Sequence, residues 1–131
     1  METRSTPRVA VELKVICHID ESQDASFKLS EGNQFEAQAL DISEGGVKLL
    51  SKYLIPRGII LDLDIDGKVF GLDRNIKTKG EVRFCESVKG LWKSNRIGVK
   101  FLDISDVDRE ALAKFVAAYE RRQFPRVKLT G

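Results

Sequence analysis

The segment Ile59-Ile60-Leu61-Asp62-Leu63-Asp64-Ile65 constrains this chain more than any other. Leu61, Leu63 and Ile65 fall on one face of an extended strand, with Asp62 and Asp64 on the other. A period of two cannot present one buried face on a helix, so the segment reads as a half-buried strand. The same alternation recurs in Val9, Val11, Leu13 and Val15 against Glu12 and Lys14. Shorter versions occur at 35–40, 47–50, 76–84 and 96–101.

Turn signals separate these runs. Residues 20–34, rich in Asp, Glu, Ser, Gln, Gly and Asn, read as a long connection or hairpin tip. Pro56-Arg57-Gly58 marks a turn, and Asp66-Gly67 predicts a hairpin leading into Lys68-Val69-Phe70. A polar interval with Gly90 and Trp92 precedes the last strand.

After Asp103 the period changes. Capping residues Asp103, Ser105 and Asp106 come first. Val107, Ala111, Leu112, Phe115, Val116 and Tyr119 then recur at a spacing of three to four. The acids Asp106, Asp108 and Glu110 come early and Arg121 and Arg122 late, as the helix dipole favours. The expected class is mainly β: a small antiparallel six-stranded β-barrel with a C-terminal α-helix. The pattern by itself is equally compatible with a split sandwich.

At 131 residues the chain is expected to form one domain with a core of its own. The expected boundaries are a basic arm at 1–8, the barrel and helix at 9–120 and a basic tail at 121–131. No apolar run reaches the roughly 18–20 residues of a membrane span, and the opening residues lack an apolar stretch. A cytoplasmic protein without membrane contact is expected. Lys and Arg total 22 against 20 acids, a net charge of +2, too near neutral to coat nucleic acid by bulk charge. Cys17 and Cys85 are isolated and His18 is the single histidine, so no metal site is expected. No nucleophile-base set stands out either, and no catalytic residue is assigned.

Two short stretches carry the functional reading. Asp41-Ile42-Ser43-Glu44-Gly45-Gly46 places an acid, a hydroxyl and a glycine pair between two alternating runs. Such a turn is often purely structural, because Asp and Ser side chains bond nearby amides. Arg4-Ser5-Thr6-Pro7-Arg8 precedes the first strand, and Pro7 keeps its neighbour out of a helix. Two arginines four apart on an extended segment reach across roughly 13 Å, at about 3.3 Å per residue.

In this order RxxxR and DxSxxG resemble the PilZ domain, a receptor for the cyclic dinucleotide messenger cyclic di-GMP. Gly80-Glu81-Val82-Arg83, the strand Ile97-Gly98-Val99-Lys100-Phe101 and the closing helix fall where that family has similar elements. The resemblance implies the barrel and cyclic di-GMP as ligand. Carried over by motif position, ligand contacts fall on Arg4, Arg8, Asp41, Ser43 and Gly46. Arginine offers phosphate or guanine a planar fork, an aspartate accepts from guanine N–H groups, and glycine lets the backbone come close. The implied mechanism is a switch: the basic arm closes over the ligand, and the new surface engages a protein partner in motility, exopolysaccharide or biofilm control. A monomer or weak dimer is expected.

Thr3 stands where many relatives carry a further arginine, which leaves the ligand stoichiometry open. Arg122-Gln123-Phe124-Pro125-Arg126 repeats the RxxxR spacing. It reads either as a basic helix end with a proline stop or as a second arm in which Arg122 and Arg126 add contacts. Two rival functions remain: a PilZ-like adaptor without ligand, and a nucleic-acid-binding barrel with salt-steep affinity.

Overall fold

The alternating runs pair as six antiparallel strands that close on themselves in the order β1-β2-β3-β6-β5-β4. A computed structural model describes residues 7–20, 29, 32–90 and 94–123, the side chains of 120–123 excepted. The strands are β1 (Val9–Ile19), β2 (Gln34–Ile42), β3 (Gly46–Ser51), β4 (Ile60–Ile65), β5 (Ile76–Ser87) and β6 (Asn95–Phe101). A single helix, α1 (Asp106–Gln123), follows. The small antiparallel barrel with a C-terminal helix is therefore the observed architecture, and the sandwich is set aside.

Most inward positions are those the alternation marked; Phe84, which alternation sets on the face of Val82, is instead 40% exposed. Val15, Cys17 and Ile19 from β1, Leu61, Leu63 and Ile65 from β4, and Ile97 from β6 are buried. Each such aliphatic side chain contributes about 1.5–3 kcal/mol by leaving water. Asp62 and Asp64 point outward and meet Lys79 and Lys77 across the β4–β5 pair.

Three irregularities in the ladder matter more than the regular pairs. Leu40 is an extra residue in β2: Ala39 faces Leu49, and Asp41 faces Lys48. Strict alternation from Phe35, Ala37 and Ala39 would bury Asp41. The bulge reverses the phase, so Ile42 is buried and Asp41 turns outward. A second irregularity lies between Ala10 and Leu13 in β1, opposite the same stretch of β2. A third lies between Val82 and Phe84 in β5 and brings Phe84 opposite Gly98.

Two local expectations are corrected. Asp66-Gly67 does not make a tight hairpin, and Lys68–Phe70 is a 3-10 turn, not a strand. A two-residue hairpin of the favoured type needs positive φ at both central residues, whereas Gly67 sits at φ −86°. Asp66 instead accepts the Lys68 N–H at 3.0 Å, and Phe70 packs T-shaped on Phe115 of α1. The partner of β4 begins only at Ile76.

In α1 the expected buried face holds from Ala111 onward, and only its first position moves, from Val107 to Asp108. Val107 is 60% exposed, while Asp108 is buried. Ser105 caps the helix by accepting the Asp108 N–H at 3.2 Å. The inward face is then Asp108, Ala111, Leu112, Phe115, Val116 and Tyr119. Arg74 Nη2, 2.8 Å from the Asp108 carboxylate, compensates the buried charge. Among the described residues no helix is long and apolar enough to cross a membrane.

Candidate functional site

Asp41 and Ile42 belong to β2, and the turn proper is only Ser43, Glu44 and Gly45. It closes through the Ser43 N–H, which donates to the Gly46 carbonyl at 2.9 Å. The buried Ser43 hydroxyl accepts the Gly45 N–H at 3.1 Å. The Phe101 N–H donates to the Gly45 carbonyl at 2.9 Å, tying the turn to the end of β6.

Arg8, immediately before β1, reaches across this turn. Its Nε donates to Asp41 Oδ1 at 2.7 Å and one terminal nitrogen to Ser43 Oγ at 3.3 Å. The two motifs, 33 residues apart between Arg8 and Asp41, thus meet in one hydrogen-bonded cluster. Both side chains of the ion pair keep about a quarter of their surface in solvent, at 25% and 21%. Among the described residues, two of the five guanidinium N–H groups of Arg8 are engaged.

Lys48, which the sequence did not single out, lies 3.5 Å from the second oxygen of Asp41. Cross-strand pairing extends the row: Asp41 faces Lys48, Lys48 faces Gly98, and Gly98 faces Phe84. Phe84 is 40% exposed and lies directly over Gly98, where an added Cβ would meet its ring at 2.1 Å. An acid, a cation and a flat aromatic patch thus stand side by side on the outer barrel wall. Lys48, Gly98 and Phe84 border an open groove of about 450 Å³ that also takes in Arg8, Ser43, Gly46, Arg83 and Lys100.

Gly46 lines this groove, and the fold itself demands a glycine there. A Cβ would stand 2.3 Å from the Val99 carbonyl oxygen of β6. Packing between strands is thus sufficient reason for the residue. Glu44 stays in the turn and with Pro7 borders a small hollow against Ala113, Val116 and Ala117 of α1. The base of the arm, the turn and the helix therefore share one seam.

Arg4, Trp92 and Arg126 lie outside the described residues, as does the side chain of Arg122. His18 is half-exposed and faces Asp62 at 3.9 Å, on β1 and β4, which are not part of the groove. Cys85 accepts the Ile55 N–H at 3.4 Å. Cys17 is fully buried, which pushes its thiol up to about 12.

By class, this is a small closed antiparallel barrel whose Arg8 and hairpin acid meet beside a cationic groove. The PilZ domain family model matches residues 2–118, and the chain belongs to that family. The chain resembles the Bacillus subtilis inhibitor of motility MotI/DgrA at TM-score 0.69 and 21% identity, over 97% of this chain and 54% of that one. It resembles the PilZ domain of YcgR with c-di-GMP from Escherichia coli at TM-score 0.60 and 15% identity, over 96% and 100%. A third similar structure is the MrkH–c-di-GMP complex of K. pneumonia, at TM-score 0.65 and 14% identity, over 97% and 57%. The chain thus spans about half the length of the first and third of these. No curated protein matches it.

Proposed function

We propose that the chain is a receptor for cyclic di-GMP that works by binding and conformational change, not by catalysis. The observation that carries this reading is the cluster itself: Arg8, Asp41 and Ser43 joined at a groove in a PilZ barrel. Two structures of this fold, the PilZ domain of YcgR and MrkH, hold c-di-GMP, which supports the same ligand here.

The chemistry fits the ligand. Arg8 has donors with no partner among the described residues and a flat face, suited to a phosphate or to guanine O6 and N7. Asp41 accepts from guanine N1 and N2 donors, with Ser43 beside it. The Phe84 ring over Gly98 offers a base an apolar floor. Arg4 adds a second arginine from the arm, and Arg122 and Arg126 are candidates for a further pair. Arm and ligand together would present a new surface to a protein partner in motility, exopolysaccharide or biofilm control.

Calorimetric titration tests this. Wild-type protein is expected to bind cyclic di-GMP at micromolar affinity or tighter, about −8 kcal/mol. GTP is expected to give no comparable heat, and Arg8→Ala and Asp41→Ala each to weaken binding at least about tenfold. A folded wild-type protein without heat at high ligand would instead identify an adaptor that acts without the dinucleotide.

A further inference from the structure

We propose that Lys48 and Lys100, which belong to neither motif, hold a phosphate of the ligand from the barrel side of the groove. This inference rests on the receptor reading above and extends it to residues the motifs do not contain.

The pairing of β3 with β6 carries the argument. Gly46 faces Lys100, and Lys48 faces Gly98. The four residues form a checkerboard, with lysines on one diagonal and glycines on the other. Across a sheet, diagonal neighbours stand roughly 7–8 Å apart. Each glycine is fixed by something other than a ligand: Gly46 by the Val99 carbonyl, Gly98 by the Phe84 ring. The outcome is a hollow with a lysine at two opposite corners and no side chain at the glycine corners.

Charge points the same way. The groove is lined by four cations, Arg8, Lys48, Arg83 and Lys100, and by no carboxylate. Two carboxylates touch these cations from outside the lining. Asp41 lies between Arg8 and Lys48, and Glu81 pairs with Arg83 at 3.4 Å. Four cations less two acids leave two positive charges for a ligand with two singly charged phosphates. Glu81 faces Lys100 across the β5–β6 ladder, yet its carboxylate goes to Arg83. Lys100 is exposed and has no ion pair among the described residues. An outward lysine on a strand is ordinarily just solvated. These two differ in standing around a hollow that also holds the motif arginine and serine. A lysine ammonium binds phosphate as a compact point charge, complementing the planar fork of Arg8.

The test is titration of cyclic di-GMP into wild type, Lys48→Gln, Lys100→Gln, the double Gln variant and the double Arg variant, at low and high salt. Each single Gln change is expected to weaken binding about fivefold, and the double change at least about twentyfold. The double Gln variant should also lose much of the salt dependence, because fewer charge contacts form. Lys48→Arg/Lys100→Arg should restore most of the affinity. Thermal midpoints of all variants should match wild type, since both side chains lie on the surface. Wild-type binding with a double Gln variant within about twofold at both salts overturns the lysine assignment and leaves the receptor reading standing. Weakened binding with an unchanged salt dependence and no rescue by arginine overturns it too, as a structural effect. A wild-type protein that binds no cyclic di-GMP overturns both.

Discussion

At the scale of single residues, the site separates what a side chain does for a ligand from what it does for the fold. Gly46 is the clearest case. Its Cβ would meet a backbone carbonyl, which cannot swing away as a side chain can. Gly46→Ala is therefore expected to cost about 2 kcal/mol or more, read as a lower midpoint in urea or heat. An unchanged midpoint would refute this account. Asp41 shows how far the sequence could be read. Its chemistry was plain, but its orientation was not, because one extra residue at Leu40 decides which face it occupies. Lys48 and Lys100 left no local signal beyond facing outward, and alternation set Phe84 on the buried face of Val82, which the irregularity in β5 reverses. Only the pairing of strands distant in sequence makes them neighbours of Asp41 and of one another.

At the scale of elements, alternation located the strands well, and local hydrogen bonding overruled it where it failed. The Asp66 carboxylate captured the Lys68 N–H and turned an expected hairpin into a 3-10 turn. In α1 the apolar spacing was right from Ala111 onward, but capping by Ser105 brought Asp108 inward in place of Val107. A contrast of two variants checks this phase. Leu112, fully buried, should lose about 2–5 kcal/mol on change to alanine. Val107→Ala should stay within about 0.5 kcal/mol of wild type. Equal losses in chemical denaturation would mean that the helix packs on a different face.

At the scale of the molecule, one carboxylate ties the segment between barrel and helix back to β5. Asp103, just after β6, accepts the Lys79 N–H at 2.8 Å and the Thr78 hydroxyl at 2.9 Å. The Lys79 amide foremost, then the Thr78 hydroxyl and the Lys79 charge, outweigh partial burial and hold its carboxyl below the ordinary range. A depressed folded pKa gives stability that is present above the unfolded value, near 3.9, and lost as pH falls through the folded value. Asp103→Asn should therefore lower the thermal midpoint at neutral pH, and the gap to wild type should narrow below about pH 4. A gap that stays constant into acid would show that Asp103 acts without its charge.

Closure of the barrel limits how such a protein can speak to a partner. All six strands have both neighbours, β1 and β4 completing the ring. Around the groove β3 and β6 are paired on both sides, so among the described residues no backbone there is open to an incoming strand. A partner meeting that wall would read side chains and whatever the groove holds. A few surface substitutions would then suffice to readdress the same barrel to another partner without disturbing its core.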